Sequence, residues 1–219
     1  MIVDLDLKGG HVILIGSGFE GMLKLKSLLT QDCKILVFSE ESNKEIQKYV
    51  KQKKITFKKL KIKNLDFLEK YDPVMIMATT EDKELNRKIY EKAKAMNCYG
   101  YTVDDPSFSD FSHPSLINIE NLVQIAISTK GKSPIMSKKI RIESEKIFKK
   151  IIKKEYLNYI RIHEYARDLA KTKIQTADER REFMYSLMDD KKLNRSLKTG
   201  KLADAKKQIK VLFDLWVQN

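Results

Sequence analysis

The chain has 219 residues, with 43 Lys or Arg against 30 Asp or Glu and a formal net charge of +13. This length suffices for a full hydrophobic core and favours two domains. No apolar run is long enough to span a bilayer and the N-terminus lacks the layout of a signal peptide, so we expect a cytoplasmic protein without a membrane partner. The two cysteines, Cys33 and Cys98, form no C-x-x-C and indicate neither a disulfide framework nor a cysteine metal site.

A strand, a glycine-rich turn and a helix follow one another near the start of the chain. His11–Ile15 is predicted to be a buried strand, Gly16–Gly21 matches G-x-G-x-x-G, and Met22–Leu29 continues as an amphipathic helix. In a dinucleotide site the first glycine makes a tight turn, the second lets backbone approach a pyrophosphate, and the third lets helix and strand pack closely. The helix N-terminus presents free N–H groups to phosphates. This order predicts a dinucleotide-binding domain, although glycines also simply make turns.

Two acidic residues follow the second predicted strand, Lys34–Phe38. A dinucleotide fold places an acidic residue about 20 positions after the glycine turn, where it binds ribose hydroxyls. Glu40 or Glu41 could take this role and would favour NAD over NADP, because a carboxylate repels a 2′-phosphate. Alternatively, both residues begin the next helix, where carboxylates suit the helix dipole.

The rest of the N-terminal half alternates strands and helices. We predict helices near residues 42–53 and 81–96, and strands at 55–57, 73–78 and 99–103. This alternation predicts a parallel, doubly wound sheet, in which ligands lie beyond the carboxyl ends of the strands. We therefore expect the residues that follow two of these strands to line the same crevice as the glycine turn: Thr79, Thr80, Asp104 and Asp105.

The pattern changes at Pro106. Two strands with a short connection are predicted at 115–119 and 122–128, and the chain then becomes helical almost to its end. Ser133 and Pro134 suit the N-cap and the first position of a helix. Further helices are predicted at 177–188 and 202–216, separated by a turn with a C-cap glycine, Gly200.

The positive charge is concentrated in two places, residues 51–63 and the stretch from Lys130 to Lys154. Such an excess indicates a polyanionic partner, namely nucleic acid, a membrane surface or a multiply acidic metabolite, or else a solvated face. A nucleic-acid partner is not favoured, because the sequence lacks interleaved aromatic residues and glycines that would stack on bases.

Four segments, in this order and spacing, resemble the siroheme-synthase dehydrogenase family, the precorrin-2 dehydrogenases, some of which are also sirohydrochlorin ferrochelatases. The segments are the glycine turn, 78–87, 103–115 and 126–134. The resemblance covers residues 1–150 clearly and the helical tail more loosely. It implies NAD-dependent oxidation of precorrin-2 to sirohydrochlorin, a homodimer and, in some members, insertion of Fe²⁺.

With this resemblance we predict an α/β fold made of three parts. Residues 1–112 form a Rossmann-type NAD-binding domain with a parallel sheet, 113–150 form a small β-plus-helix dimerisation segment, and 151–219 form a helical C-terminal domain. The predicted cofactor-binding residues are Gly16, Ser17, Gly18, Phe19, Glu20, Gly21, Ser39, Glu40, Thr79 and Thr80. No metal ligand is predicted.

Asp104 falls on the family's V-D-x-P aspartate and is the predicted catalytic residue. Transfer of a hydride to nicotinamide also requires loss of a proton, which a positioned carboxylate can accept. The alternative is that Asp104 and Asp105, just before Pro106, form an ordinary N-cap pair. His113 could be a second base or an axial iron ligand, although a lone loop histidine is usually neither.

Precorrin-2 is an octa-acid, which suits the basic segment after residue 127. Lys130, Lys132, Lys138 and Lys139 would attract it electrostatically, while hydroxyl and N–H groups would bind carboxylates. The predicted substrate-binding residues are Ser128, Thr129, Lys130, Gly131, Lys132, Ser133 and His113. Lys130 replaces a small residue of the family pattern, which puts iron insertion in doubt more than dehydrogenation. The alternative function is an NAD-sensing regulatory domain, which leaves Asp104 and residues 128–134 unexplained.

Overall fold

The computed structural model describes residues 2–218. The chain divides between His113 and Pro114 into two compact units. Among the helices of the described residues, none is both long and apolar enough to cross a membrane.

The first unit is a parallel sheet flanked by helices. Its elements are β1 (His11–Ile15), α1 (Phe19–Leu28), β2 (Lys34–Ser39), α2 (Lys44–Lys51), β3 (Thr56–Lys59), β4 (Pro73–Ala78), α3 (Lys83–Ala95) and β5 (Tyr99–Thr102), with 3₁₀ helices at Asp66–Tyr71 and Pro106–Phe108. The strands run in the order β3-β2-β1-β4-β5 and every pair is parallel. The order reverses beside β1, the strand that carries the glycine turn, so this is the switch point at which such sheets bind ligands. The predicted α/β fold is confirmed.

The central strand is apolar throughout because helices cover both faces of the sheet. Val12 and Leu14 pack with Leu25 of α1 in one cluster, whereas Ile13 packs with Ile89 of α3 in the other. Side chains alternate between the faces of a strand, so a continuous apolar run is what a doubly covered strand requires. The core therefore holds β1 and the glycine turn rigidly.

The second unit consists of a hairpin and five helices. Its elements are β6 (Ser115–Ile119), β7 (Val123–Ile127), α4 (Pro134–Ile151), α5 (Lys154–Lys171), α6 (Ala177–Asp189), α7 (Lys191–Lys198) and α8 (Leu202–Gln218). The two strands are antiparallel. Ser133 caps α4 by accepting a hydrogen bond from Met136 N, and Gly200 follows α7 with a φ of +74°, both as predicted.

Two apolar clusters stabilise this unit. Helices α5 to α8 enclose Phe183, Leu187 and Ile209, whereas Ile117 of the hairpin packs against Leu157 of α5. The helical tail thus has a core of its own, and the hairpin is anchored to the start of that tail.

Candidate active site

The glycine turn has the geometry that its pattern predicts. Gly16 has a φ of +102°, and a Cβ there would lie 2.7 Å from the carbonyl oxygen of Thr79. A Cβ on Gly21 would collide with the carbonyl oxygen of Gly16, because α1 starts directly against the strand end. A Cβ on Gly18 would meet nothing within 4 Å. The first and third glycines are therefore required for packing, whereas the second leaves open space above the backbone.

A crevice of about 590 Å³ opens beside this turn. Its volume lies within the usual range for small-molecule sites, about 300 to 1,000 Å³. Seven of the ten predicted cofactor-binding residues line it: Gly16, Ser17, Gly18, Ser39, Glu40, Thr79 and Thr80. The other three, Phe19, Glu20 and Gly21, form the first turn of α1, where the side chain of Phe19 is 78% exposed.

The start of α1 is open to an anion. Gly18 is the N-cap residue and makes no side-chain capping hydrogen bond. The first N–H groups of a helix have no acceptor within the helix, and together with the helix dipole they favour an anionic group. This end of the crevice therefore suits a pyrophosphate.

Hydroxyl groups fix the walls of the crevice. Ser17 Oγ donates to the carbonyl oxygen of Glu41 at 2.8 Å and lies 2.9 Å from Ser39 Oγ, which ties the glycine turn to the end of β2. Thr79 Oγ1 donates to the carbonyl oxygen of Ile15 at 2.9 Å. Both crevice walls are thus preformed.

The acidic residues after β2 lie in the crevice wall and not in a helix. Helix α2 begins at Lys44 and is capped by Asn43, whose side chain accepts from Ile46 N, so the alternative that Glu40 and Glu41 start the helix is wrong. Glu40 lies 3.9 Å from Lys61 Nζ in an exposed pair, an interaction worth little in water. Its carboxylate remains available to ribose hydroxyls.

Asp104 does not line the crevice of the glycine turn, which corrects our expectation. It lines a smaller neighbouring cavity of about 170 Å³, together with Lys83, Arg87, Asp105 and Phe108. The reason is strand order: β5 is an edge strand, separated from β1 by β4, and two strand spacings amount to about 10 Å. Local sequence showed a strand end but not the position of that strand in the sheet.

A buried side chain connects the two cavities. Asn86 of α3 is 0% exposed, accepts a hydrogen bond from Thr80 Oγ1 at 2.7 Å, and donates to Asp104 Oδ1 at 2.7 Å. Asn86 lies within the 78–87 segment of the family resemblance, but the sequence predicted no role for it. The helical spacing of Asn86 with Ile89 and Ala93 could have indicated a role, because it places Asn86 on the buried, apolar face of α3. A polar side chain on such a face needs hydrogen-bond partners.

Asp104 and Asp105 have different roles. Asp105 caps the 3₁₀ helix, since its Oδ1 accepts from Ser107 N at 2.8 Å, and the hydrogen bonds from Ser107 lower the pKa of Asp105. Asp104 caps nothing: within residues 2–218, Asn86 is its hydrogen-bond partner and its Oδ2 has none. The N-cap alternative therefore holds for Asp105 and is wrong for Asp104.

His113 belongs to an aromatic cluster. Its ring lies edge-on to those of Tyr101 and Phe111, with centroid distances of 5.1 and 5.6 Å. The residue as a whole is exposed, but desolvation of its ring by these neighbours and, to a lesser degree, the charge of Lys24 lower its pKa to about 4. His113 is therefore neutral near pH 7 and adds no positive charge for a carboxylate.

The predicted substrate-binding segment lies in the second unit, between β7 and the start of α4. Thr129 Oγ1 accepts from Ser133 N and donates to Ser133 O, both at 3.1 Å, so these side chains stabilise their own loop. Ser128 Oγ accepts from Lys130 N, which leaves its hydroxyl hydrogen free to donate. Lys130 has a φ of +53°, a conformation that glycine adopts more easily, and both Lys130 and Lys132 are exposed.

A cavity of about 690 Å³ in the second unit contains none of the predicted residues. It lies between α5 and α6 and is lined by residues such as His163, Arg167 and Met184. Within the described part of the chain, no group of three or more His, Cys, Asp or Glu side chains is placed to hold a metal ion.

Comparisons with known proteins agree with the resemblance seen in the sequence. The NAD(P)-binding family model NAD_binding_7 matches residues 3–115. Siroheme synthase of Mannheimia succiniciproducens is 25% identical over 212 residues, 94% of this chain and 41% of that protein. Siroheme synthase of Neisseria meningitidis serogroup C is 26% identical over 178 residues, 81% of this chain and 35% of that protein. The chain thus spans about two fifths or less of the length of these curated relatives.

A solved structure shares the fold. The protein titled "SirC, precorrin-2 dehydrogenase" matches with a TM-score of 0.63 and 21% identity, and the match covers 96% of this chain and 98% of that chain. The order of sheet, hairpin and helices is therefore found in a known protein.

Proposed function

We propose that this chain, which belongs to the NAD(P)-binding family NAD_binding_7, is an NAD-dependent dehydrogenase that oxidises precorrin-2 to sirohydrochlorin. The observation that carries the proposal is the hydrogen-bonded connection from the glycine-turn crevice, through Asn86, to a carboxylate with one unpartnered oxygen. The alignment with siroheme synthases along most of the chain supports the choice of substrate.

The first unit fits a dinucleotide. The open backbone at Gly18 and the start of α1 would hold the pyrophosphate, and Glu40 would accept hydrogen bonds from ribose hydroxyls. Because Glu40 would repel a 2′-phosphate, we propose NAD as the preferred cofactor. When bound, NAD⁺ supplies the acceptor for a hydride.

Asp104 would supply the base. Oxidation of precorrin-2 breaks one C–H bond, whose electron pair leaves as hydride to NAD⁺, and releases one proton, giving sirohydrochlorin, NADH and H⁺. The proton needs an acceptor, and the unpartnered Oδ2 of the exposed Asp104 carboxylate is suited to receive it. General-base catalysis of this kind typically contributes about 10² to 10⁴ in rate.

The acid groups of the substrate suit the loop before α4. Lys130 and Lys132 are exposed, Ser128 has a free hydroxyl hydrogen, and α4 presents its N-terminus at Ser133. Together these groups provide charge and N–H or O–H donors for carboxylates. Insertion of Fe²⁺ into sirohydrochlorin remains a prediction, with the ion as a second substrate.

Helix α4 supports a homodimer. Six apolar side chains of this helix are exposed, from Ile135 at 81% to Ile142 at 42% and Ile147 at 58%. Four of them, Met136, Ile140, Ile147 and Ile151, follow helical spacing along one face. Soluble chains rarely expose a contiguous apolar surface of this kind unless a partner covers it, and the family resemblance assigns dimerisation to this segment. We propose that a second copy of the chain covers α4.

Asp104→Asn tests the proposal, because the amide is nearly isosteric and cannot accept the proton. We expect anaerobic oxidation of precorrin-2 with NAD to slow by at least about 10², with NAD affinity unchanged within about three-fold. Near-normal oxidation by this variant would remove Asp104 from the chemistry, and His113→Ala would be the next variant.

The same assay separates the alternative of an NAD sensor. A regulatory domain would bind NAD at the glycine turn but would form no NADH from precorrin-2. It would also purify without bound tetrapyrrole, whereas the proposed enzyme can retain a coloured product.

A further inference from the structure

The side-chain amide of Asn86 has no hydrogen-bonding capacity left. Its Oδ1 accepts from Thr80 N at 3.2 Å and from Thr80 Oγ1 at 2.7 Å. Its Nδ2 donates to Thr80 O at 3.0 Å and to Asp104 Oδ1 at 2.7 Å. An asparagine amide offers two acceptor and two donor positions, and all four are used. The amide therefore cannot flip by 180° without losing hydrogen bonds, and an N–H group always faces Asp104.

Thr80 and Asp104 belong to different cavities. Thr80 lines the crevice of the glycine turn, and Asp104 lines the smaller cavity beside it. Asn86 is fully buried between them, in a setting where hydrogen bonds are stronger than in water. One rigid group thus determines how the Asp104 carboxylate is oriented relative to the crevice wall.

A purely local role in the helix does not explain Asn86. The N-cap of α3 is Asp82, whose side chain accepts from Leu85 N at 3.0 Å, so the helix start is already satisfied. Elsewhere the buried face of α3 is apolar, with Ile89 and Ala93. Three of the four hydrogen bonds of Asn86 hold Thr80 at the end of β4 and the fourth reaches Asp104, so the amide serves these two residues and not the helix.

We propose that Asn86 is a positioning residue for the dehydrogenation: it holds Oδ1 of Asp104, and thereby directs the unpartnered Oδ2 toward the proton that the substrate loses. The inference rests on the proposed function, in which Asp104 is the base. Asn86 does not itself touch the reacting atoms, and it acts through Asp104.

Asn86→Asp keeps the acceptor side of the side chain and removes its donor side. A carboxylate can still accept from Thr80 N and Thr80 Oγ1, but it offers no donor to Thr80 O or to Asp104, and it repels Asp104. We expect NAD affinity within about three-fold of wild type and kcat lower by about 10², the size of effect that a misplaced catalytic group produces. A merely structural residue would instead lower NAD affinity and thermal stability in step with kcat.

A double-mutant cycle provides the decisive test. In the wild-type background Asn86→Ala should lower kcat by about 10², whereas in the Asp104→Asn background it should change kcat by less than about three-fold, because the group it positions is already absent. Equal fold-losses in both backgrounds would overturn the role of Asn86. Normal kcat in Asp104→Asn alone would instead overturn the proposed base, so the two failures are distinguishable.

A matched control corrects for loss of stability. Asn158 in the second unit is also a buried asparagine, whose Nδ2 donates to Leu197 O at 2.9 Å. Asn158→Ala should lower the melting temperature without the loss of kcat expected for Asn86→Ala. If both variants lose kcat in proportion to stability, the inference about Asn86 is wrong. Should Asn86→Ala fail to fold, the kcat and NAD affinity of Asn86→Asp decide the question.

Discussion

Gly18→Val should abolish NAD binding and leave the fold intact. Gly18 has a φ of −66°, which valine adopts without strain, and a Cβ there meets nothing within 4 Å. The residue is an N-cap without a side-chain capping bond, so the substitution removes no hydrogen bond. Replacing glycine with an apolar residue at an N-cap typically costs about 1 kcal/mol or less.

The loss of affinity follows from the space that valine would fill. Its isopropyl group would occupy the place where a pyrophosphate meets the first N–H groups of α1. A hydrogen bond to a charged group contributes about 1.5 to 3 kcal/mol. Loss of two such bonds would therefore weaken NAD binding by about 10² to 10⁴.

Isothermal titration with NAD, alongside thermal unfolding, measures both quantities. Gly21→Ala is the contrasting variant, because its Cβ would collide with Gly16 O and the fold should be destabilised. A folded Gly18→Val protein that binds NAD within about three-fold of wild type would refute the assignment of the pyrophosphate to the glycine turn.

Three further outcomes are expected. The value of kcat/KM should be higher with NAD than with NADP, and a higher value with NADP would contradict the role of Glu40. Lys130→Ala and Lys132→Ala should raise KM for precorrin-2 more than they change kcat. The KM of the wild type should also rise with salt concentration, and a KM independent of ionic strength would mean that the lysines are only a solvated surface. Desolvation of the ring lowers the pKa of His113 to about 4, so between pH 6.5 and 4 the unfolded chain binds a proton there that the folded chain does not. Acidification from pH 6.5 toward 4 should therefore destabilise wild type more than His113→Phe, and equal losses would contradict the lowered pKa.

The glycine turn could be predicted because its determinants are local. The apolar run His11–Ile15 and the glycines that follow it already specify a doubly covered strand and a tight turn, and the structure confirms both. The cap at Ser133 and the glycine at Gly200 were predicted for the same reason: each depends on a few consecutive residues.

Relations between distant segments could not be predicted in this way. Asp104 was expected in the glycine-turn crevice because it follows a strand, but its distance from that crevice depends on β4 lying between β1 and β5. The 3₁₀ helix Asp66–Tyr71 was missed because it is held by burial of Leu68, a tertiary contact without a periodic signal. The connection through Asn86 likewise depends on β4 and β5 lying side by side, so that the residues that follow the two strands come close together.

The most direct measurement is an anaerobic reaction of the wild-type protein with precorrin-2 and NAD, in which NADH and sirohydrochlorin are quantified in the same sample. A dehydrogenase transfers one hydride for each molecule oxidised, so we predict equal amounts of the two products, formed only when both substrates are present. Binding of NAD without formation of either product would contradict the proposed activity.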